Sequence, residues 1–350
     1  YFRGWGGGLM HASSRRRLFA PLRKRSTPIG IGLFLLDAIL YAALLSIVLL
    51  TDRLLIAAVA GVLLGAVVGN FLTLAHDAAH NTLTNARRLN QLLGRISFLI
   101  AWHNIILWRH DHNAEHHAFT NLKGMNAWSP MAPDEYRCKP WWRRLTYRLS
   151  RSPLGFGPYY LIYGWLGKNT LPIGPAGKFA GARSWRGGLL LLAWMAAQLT
   201  LLWWAAGWRG AVFGALVPHL VFCWFMGWAI WRQHTHPGVP WFATRAQWAM
   251  LGGPEEVSIR LDCPRVFHLV SHWMMLHPAH HADPNIPCYR LTEAERLLEQ
   301  TAAEEGERIL VAPSGPRAFA QVLRTCQLYD FDRHAWISYD GTRSHPTGAA

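Results

Sequence analysis

Residues 54–81 read LLIAAVAGVLLGAVVGNFLTLAHDAAHN, an apolar run over 54–75 that ends directly in His76 and His80 at the spacing H-x3-H. About 20 apolar residues are needed to cross the hydrocarbon core of a bilayer. The stretch 54–75 therefore predicts a membrane-spanning helix with two imidazoles at its end. Segments 29–50, 188–207 and 210–231 meet the same criterion. The first of these carries Asp37, which is costly in lipid unless it faces the helix bundle or a partner. Stretches near 96–107 and 158–166 are apolar and aromatic but short or interrupted, and they read as interfacial or re-entrant. Composition agrees with a membrane protein: the chain is 51% hydrophobic and only 16% charged, against roughly 25% charged in soluble domains.

Arginine and lysine set the orientation. Arg15, Arg16, Arg17, Arg23, Lys24 and Arg25 precede the first span, and Arg87, Arg88, Arg95, Arg109, Arg143, Arg144, Arg148 and Arg151 lie between the second and third. The connections at Asp52-Arg53 and Gly207-Trp208-Arg209-Gly210 hold one Arg each. By the positive-inside rule both termini and the insert 76–187 face the cytoplasm. The expected fold is an all-α integral membrane protein, with four transmembrane helices in two hairpins and a cytoplasmic helical cap. A basic N-terminal segment, 1–28, precedes the membrane-embedded domain, 29–290, and a cytoplasmic C-terminal segment, 291–350, follows. In that last segment Thr292 and Glu295 resemble a capping box that opens a helix. Abundant Arg, Ala and Gly suggest a GC-rich bacterial genome, and with the apolar spans the expected location is a bacterial inner membrane.

The net charge of +15 suits anionic lipid or an acidic partner. Nucleic acid binding is disfavoured, because the basic residues crowd beside apolar spans and form no stripe among exposed aromatics. The five cysteines are far apart with no C-x2-C pair. A zinc ribbon, an iron–sulfur cluster or a disulfide framework therefore has little support, and a reducing compartment fits.

Two more histidine groups accompany the first: His112, His116 and His117, then His277, His280 and His281. His76 and His80 are one helical turn apart and can share a helix face. His112 and His116 repeat that relation, and His117 adds a ligand turned about 100° away. Adjacent residues diverge, so each His-His doublet can serve two ions at once. Eight imidazoles exceed the needs of one ion, and divided between two they give about four each. His234 is the expected ninth ligand, with His236 as the second choice. Asp77, Glu115 and Asp283 are candidates to hydrogen-bond ring N–H groups from behind. Imidazole suits iron, zinc, copper and nickel alike, so donor type does not name the metal. His103, His110, His219, His268 and His272 read as satisfied interfacial residues, and Trp108, Trp141 and Trp142 as interfacial tryptophans.

The wording around the boxes narrows the choice. His76-Asp77-Ala78-Ala79-His80-Asn81, then Trp108-Arg109 leading to His112, and His116-His117-Ala118-Phe119-Thr120-Asn121 form the first two boxes. The third continues His280-His281-Ala282-Asp283-Pro284-Asn285-Ile286-Pro287-Cys288-Tyr289-Arg290-Leu291. Together these resemble the membrane-bound fatty acid desaturase family, in its bacterial acyl-lipid delta-12/omega-type branch, over about 70–330. Two departures stand out: three residues, not two, precede the doublet of box two, and Pro278 follows the first histidine of box three.

The resemblance implies two iron ions held by the histidines, with O2 as co-substrate. A fatty acyl chain, linked to a lipid, CoA or acyl carrier protein, would lose two hydrogens to give a cis double bond and water. His236-Pro237-Gly238-Val239 falls short of the H-P-G-G motif of a fused cytochrome b5, so a separate ferredoxin-like donor is implied. The same scaffold would also serve an acyl-chain or alkane hydroxylase or an acetylenase. A membrane metal carrier, the reading of a different class, should place its ligands mid-span.

Overall fold

A computed structural model describes residues 17–173, 181–249, 257–304, 308–341, 343 and 344. Helix α1 (Thr27–Leu50) is followed by α2 (Leu54–Ala79), α3 (Arg87–Ile100) and α4 (Ile105–Arg109), which continues as a π-helical turn over His110–His116. Next come α5 (Pro133–Cys138), α6 (Trp141–Ser150) and α7 (Phe156–Tyr159), the last extended by π-helical turns over Tyr160–Thr170. Helix α8 (Ala182–Ala211) leads through Val212–Leu216 into α9 (Val217–Gln233). Then follow α10 (Arg245–Ala249), β1 (Arg260–Asp262), α11 (Arg265–Val270), α12 (His277–Ala282), α13 (Leu291–Glu304) and β2 (Val311–Pro313). The described chain closes with α14 (Pro316–Thr325), β3 (Leu328–Asp330), β4 (Ala335–Ile337) and β5 (Arg343–Ser344).

Three helical stretches are long and apolar enough to cross a membrane: Thr27–Leu50, Leu54–Ala79 and Ala182–Gln233. The third is interrupted. Ala206 and Gly207 leave helical geometry, and Gly207 takes φ +60°, which glycine adopts without penalty. Trp102 meets both halves: its Nε1 donates to Gln198 Oε1 at 2.8 Å, and its ring stacks on His219 with centroids 3.5 Å apart. One straight helix would hold residues 198 and 219 roughly 30 Å apart, so the chain folds back at the break.

Helix α2 is central and packs against α1, α3 and α9. Gly65 permits the close approach of α9, since a Cβ there would lie 2.7 Å from Val221 Cβ. The core between them gathers Val68, Leu72, Phe98, Trp108, Phe222 and Trp231. Helix α1 instead turns Leu35, Ile39 and Leu50 outward, as expected of a lipid-facing helix.

Several sequence expectations need correction. The fold is mainly helical, not all-α: β1 pairs with β2 in parallel, and β3, β4 and β5 form an antiparallel sheet. Strands of two or three residues carry no readable periodicity. Glu295 does not cap its own helix but accepts the Ala279 N–H at 3.1 Å, because burial against α12 leaves that donor nearest. Within the stretch 96–107, residues 101–104 are buried, with Asn104 Nδ2 donating to Ser184 O at 2.9 Å.

Candidate metal centre

The last turn of α2 delivers His76 with His80 just beyond it, the π-helical turn delivers His112, His116 and His117, and α12 delivers His277, His280 and His281. His234 follows α9 directly. These nine form two groups: His76, His80, His112, His117 and His280 in one, and His116, His234, His277 and His281 in the other. Within each, one nitrogen from every ring lies within 4.8 Å of the others.

Backbone geometry explains the partition. In the π-helical turn His117 N bonds to His112 O at 3.0 Å, an i to i+5 repeat. His112 and His117 therefore share a side, and His116 turns to the other group. The expected pairing of His112 with His116 assumed an α-helix. In α12 the ordinary i, i+4 relation does hold, bringing His277 and His281 together while His280 diverges.

The contacts among the rings fit cations better than hydrogen bonds. His280 Nε2 lies 3.0 Å from both His76 Nε2 and His117 Nε2, and His277 Nε2 lies 3.0 Å from both His234 Nε2 and His281 Nε2. An imidazole nitrogen has either one proton or one lone pair, so neither can satisfy two such neighbours. Imidazole nitrogens about 2.1 Å from an ion and at right angles to each other lie roughly 3.0 Å apart. His80 Nε2, buried and aimed into the first group, has no hydrogen-bond partner. The residues present therefore fit two metal ions.

Electrostatics favour the ligating form. Burial, then the neighbouring imidazoles, holds His80, His112, His117, His277, His280 and His281 well below the usual histidine pKa. Burial lowers His234 to about 3. These rings are neutral at physiological pH, which leaves their lone pairs free.

The supporting contacts are mixed. Asp77 Oδ1 lies 3.2 Å from His76 Nδ1, and its other oxygen accepts the Cys288 N–H at 2.6 Å. Glu115 instead pairs with Lys168 at 3.0 Å, and Asp283 with Arg23 at 2.6 Å, since cations lie closer to them than any ring. His236 stays outside both groups, its Nδ1 accepting from Gly238 N at 3.0 Å. His103, His110, His219, His268 and His272 also stand apart; His103 meets Ala101 O and Tyr160 Oη. Trp108 is not interfacial: it is buried and stacks on His112 with centroids 4.3 Å apart. Trp141 and Trp142 are exposed.

The family model for fatty acid desaturases matches residues 53–311, most of the chain and all nine clustered histidines. The chain belongs to the fatty acid desaturase family. Among similar proteins, the sn-1 oleoyl-lipid 12-desaturase of Picosynechococcus sp. is 25% identical over 79% of this chain and 78% of its own length. The chloroplastic omega-6 fatty acid desaturase of Arabidopsis thaliana is 25% identical over 79% of this chain, which spans 60% of that relative's length. The sn-1 acyl-lipid omega-3 desaturase (ferredoxin) of Nostoc sp. is 28% identical over 65% of this chain and 63% of its own length.

The desaturase has a cavity of about 280 Å³ that touches both histidine groups, at His76 and His112 and at His116, His234 and His277. From there it runs past Gly69, Leu72, Phe225 and Met226 between α2 and α9. Its other wall comes from Phe267, Val270, Ser271 and Met274, and a polar end holds Asp111, Asn126 and Lys168. Asn126 was not legible in the sequence: it holds His116 Nδ1 at 2.9 Å from ten residues away, with no motif to mark it.

Proposed function

We propose that this desaturase introduces a cis double bond into an acyl chain lying in the cavity between α2 and α9. One iron ion would be held by His76, His80, His112, His117 and His280, and a second by His116, His234, His277 and His281. Bound iron would supply the activation of O2 for hydrogen removal from adjacent methylenes. The protein does the rest. Gly69, Leu72, Phe225 and Met226 align the chain and exclude water from the reacting carbons. Asp77 and Asn126 orient His76 and His116. The observation that carries this reading is a largely apolar cavity bordered by both histidine groups.

The names of the acyl-lipid relatives support an acyl group esterified in a membrane lipid over a CoA or carrier-protein thioester, and a ferredoxin-like electron donor. The break at Ala206–Gly207 supports four membrane crossings in two hairpins. The arginine distribution supports a cytoplasmic, helix-capped site in a bacterial inner membrane, with 29–290 as the membrane-embedded unit. Histidines at helix ends rather than mid-span speak against a metal carrier.

The test is expression in a host with a simple lipid profile and a supplied electron donor, followed by analysis of acyl chains. A new cis double bond that disappears with His280→Ala is the expected result. A hydroxylated or acetylenic product instead would reassign the outcome, and exchangeable zinc without iron would overturn the reading.

A further inference from the structure

Helix α3 packs on the end of α2 that carries His76 and His80, where a Cβ on Gly94 would lie 3.0 Å from Ala78 Cβ, and it brings arginines to the edge of the five-histidine group. Arg87 and Arg95 are exposed on one flank of α3, with Gln91 between them. Arg109 ends α4, three residues before His112. Among the described residues no carboxylate pairs with any of the three, whereas Arg137, Arg209, Arg260 and Arg290 each have one. The nearby carboxylates Asp111 and Glu115 are both engaged by Lys168. Burial, then the charges of Arg95 and Arg87, holds the Arg109 guanidinium below its usual pKa. Arg109 in turn acts on His80.

This is also where the site comes closest to solvent. His80 and His117 are half-buried without lining the cavity, whereas His112 and His116, also half-buried, border it, and His76, His234, His277, His280 and His281 are buried. Each double bond consumes one O2, two electrons and two protons, removes two hydrogens from the chain and releases two waters. The electrons come one at a time from an outside carrier, which is oxidised in the process. Tunnelling falls steeply with distance, so that carrier must seat near the exposed ligand rings. The surface beside those rings carries arginines that, among the described residues, no carboxylate pairs.

We propose that an acidic one-electron carrier protein docks on the Arg87–Arg95 flank of α3 and delivers electrons through the five-histidine group. This rests on the desaturase reading above. Leu92 and Ile96, 55% and 37% exposed, occupy the other open flank of α3. Lipid can cover them while the arginine flank faces water.

The test uses iron-loaded protein in lipid nanodiscs and a plant-type [2Fe–2S] ferredoxin as probe. Two quantities are read: equilibrium binding of oxidised ferredoxin, and the bimolecular rate at which reduced ferredoxin is reoxidised. Arg87→Glu with Arg95→Glu is expected to lower both about tenfold at low ionic strength, with the difference shrinking as salt rises. Arg87→Gln with Arg95→Gln should lower them less, and Arg143→Glu with Arg144→Glu on α6 should leave them unchanged. Unaltered iron content, and unaltered product formation with a chemical reductant, would show that each variant folds. Ferredoxin binding equal to wild type in the double Glu variant overturns the proposal. So does equal ferredoxin binding with lost retention on phosphatidylglycerol bilayers, which assigns the arginines to lipid. Absence of unsaturated product from the wild type with chemical reductant would instead sink the desaturase reading, while the binding measurement still reports on docking.

Discussion

Asp37 Oδ2 accepts a 2.7 Å hydrogen bond from His272 Nε2, tying the apolar helix α1 to the chain five residues before His277. Both side chains are buried, and Asn70 Nδ2 donates to the second carboxylate oxygen at 3.3 Å. His272 and Trp273 hold φ of 47° and 58°, a left-handed conformation that non-glycine residues seldom adopt. The bond thus pins a strained turn whose Ser271 and Met274 wall the cavity. Asp37→Ala should leave His272 unpaired and cost about 1–3 kcal/mol, and Asp37→Asn, which keeps an acceptor, should cost less. Thermal unfolding in detergent with iron analysis checks this. An unchanged midpoint for the Ala variant would show that the pair is dispensable.

The ligand set makes its own prediction. His280→Ala should reduce bound iron from two ions per chain and abolish desaturation. His236→Ala, altering a ring outside both groups, should leave iron and activity near wild type. Elemental analysis of purified protein reads both; iron loss with His236→Ala would refute the partition.

Cavity shape predicts a graded effect at Gly69. A Cβ there would meet only Phe222 and Phe225 ring carbons, at 3.9 and 4.0 Å, so Gly69→Ala should be tolerated. Gly69→Leu would fill the space between α2 and α9 and should shift products toward shorter chains or cut turnover sharply. Gly65→Ala should destabilise by about 1–3 kcal/mol through overpacking against Val221. Chromatography of acyl chains separates the first two, and melting measures the third.

Glu295 gives stability a pH dependence. Burial raises its carboxyl from 4.5 to about 7, against the opposing pull of Arg260 and the Ala279 N–H. Between these values the folded state binds more protons than the unfolded one. Its contribution is therefore fully present below about pH 4.5 and lost as pH rises toward 7. Glu295→Gln should flatten that slope in melting curves recorded from pH 5 to 8. An unchanged slope would assign the dependence elsewhere.

Much of this molecule could be read from local pattern. The apolar lengths marked α1, α2 and the α8–α9 stretch, because the cost of crossing a bilayer depends on composition over about 20 residues. Histidine spacing marked eight of the clustered rings, and the position of His234 just past an apolar segment marked the ninth. The short strands escaped notice because two or three residues carry no readable alternation and β1 pairs with a strand about 50 residues away, and Trp108 was misjudged because its burial depends on His76 and Phe98, which other helices bring to it.

Which histidines stand together was beyond any local pattern. His116 and His117 separate, and His112 joins His117, only because the backbone there winds as a π-helix, a choice that packing imposes. Residue type and spacing were enough to expect a two-metal centre at the membrane edge. Its division into five and four, the cavity that reaches both groups, and the buried Asp37–His272 bond required distant helices to meet. Contacts between residues hundreds of positions apart leave no periodic trace in a single chain.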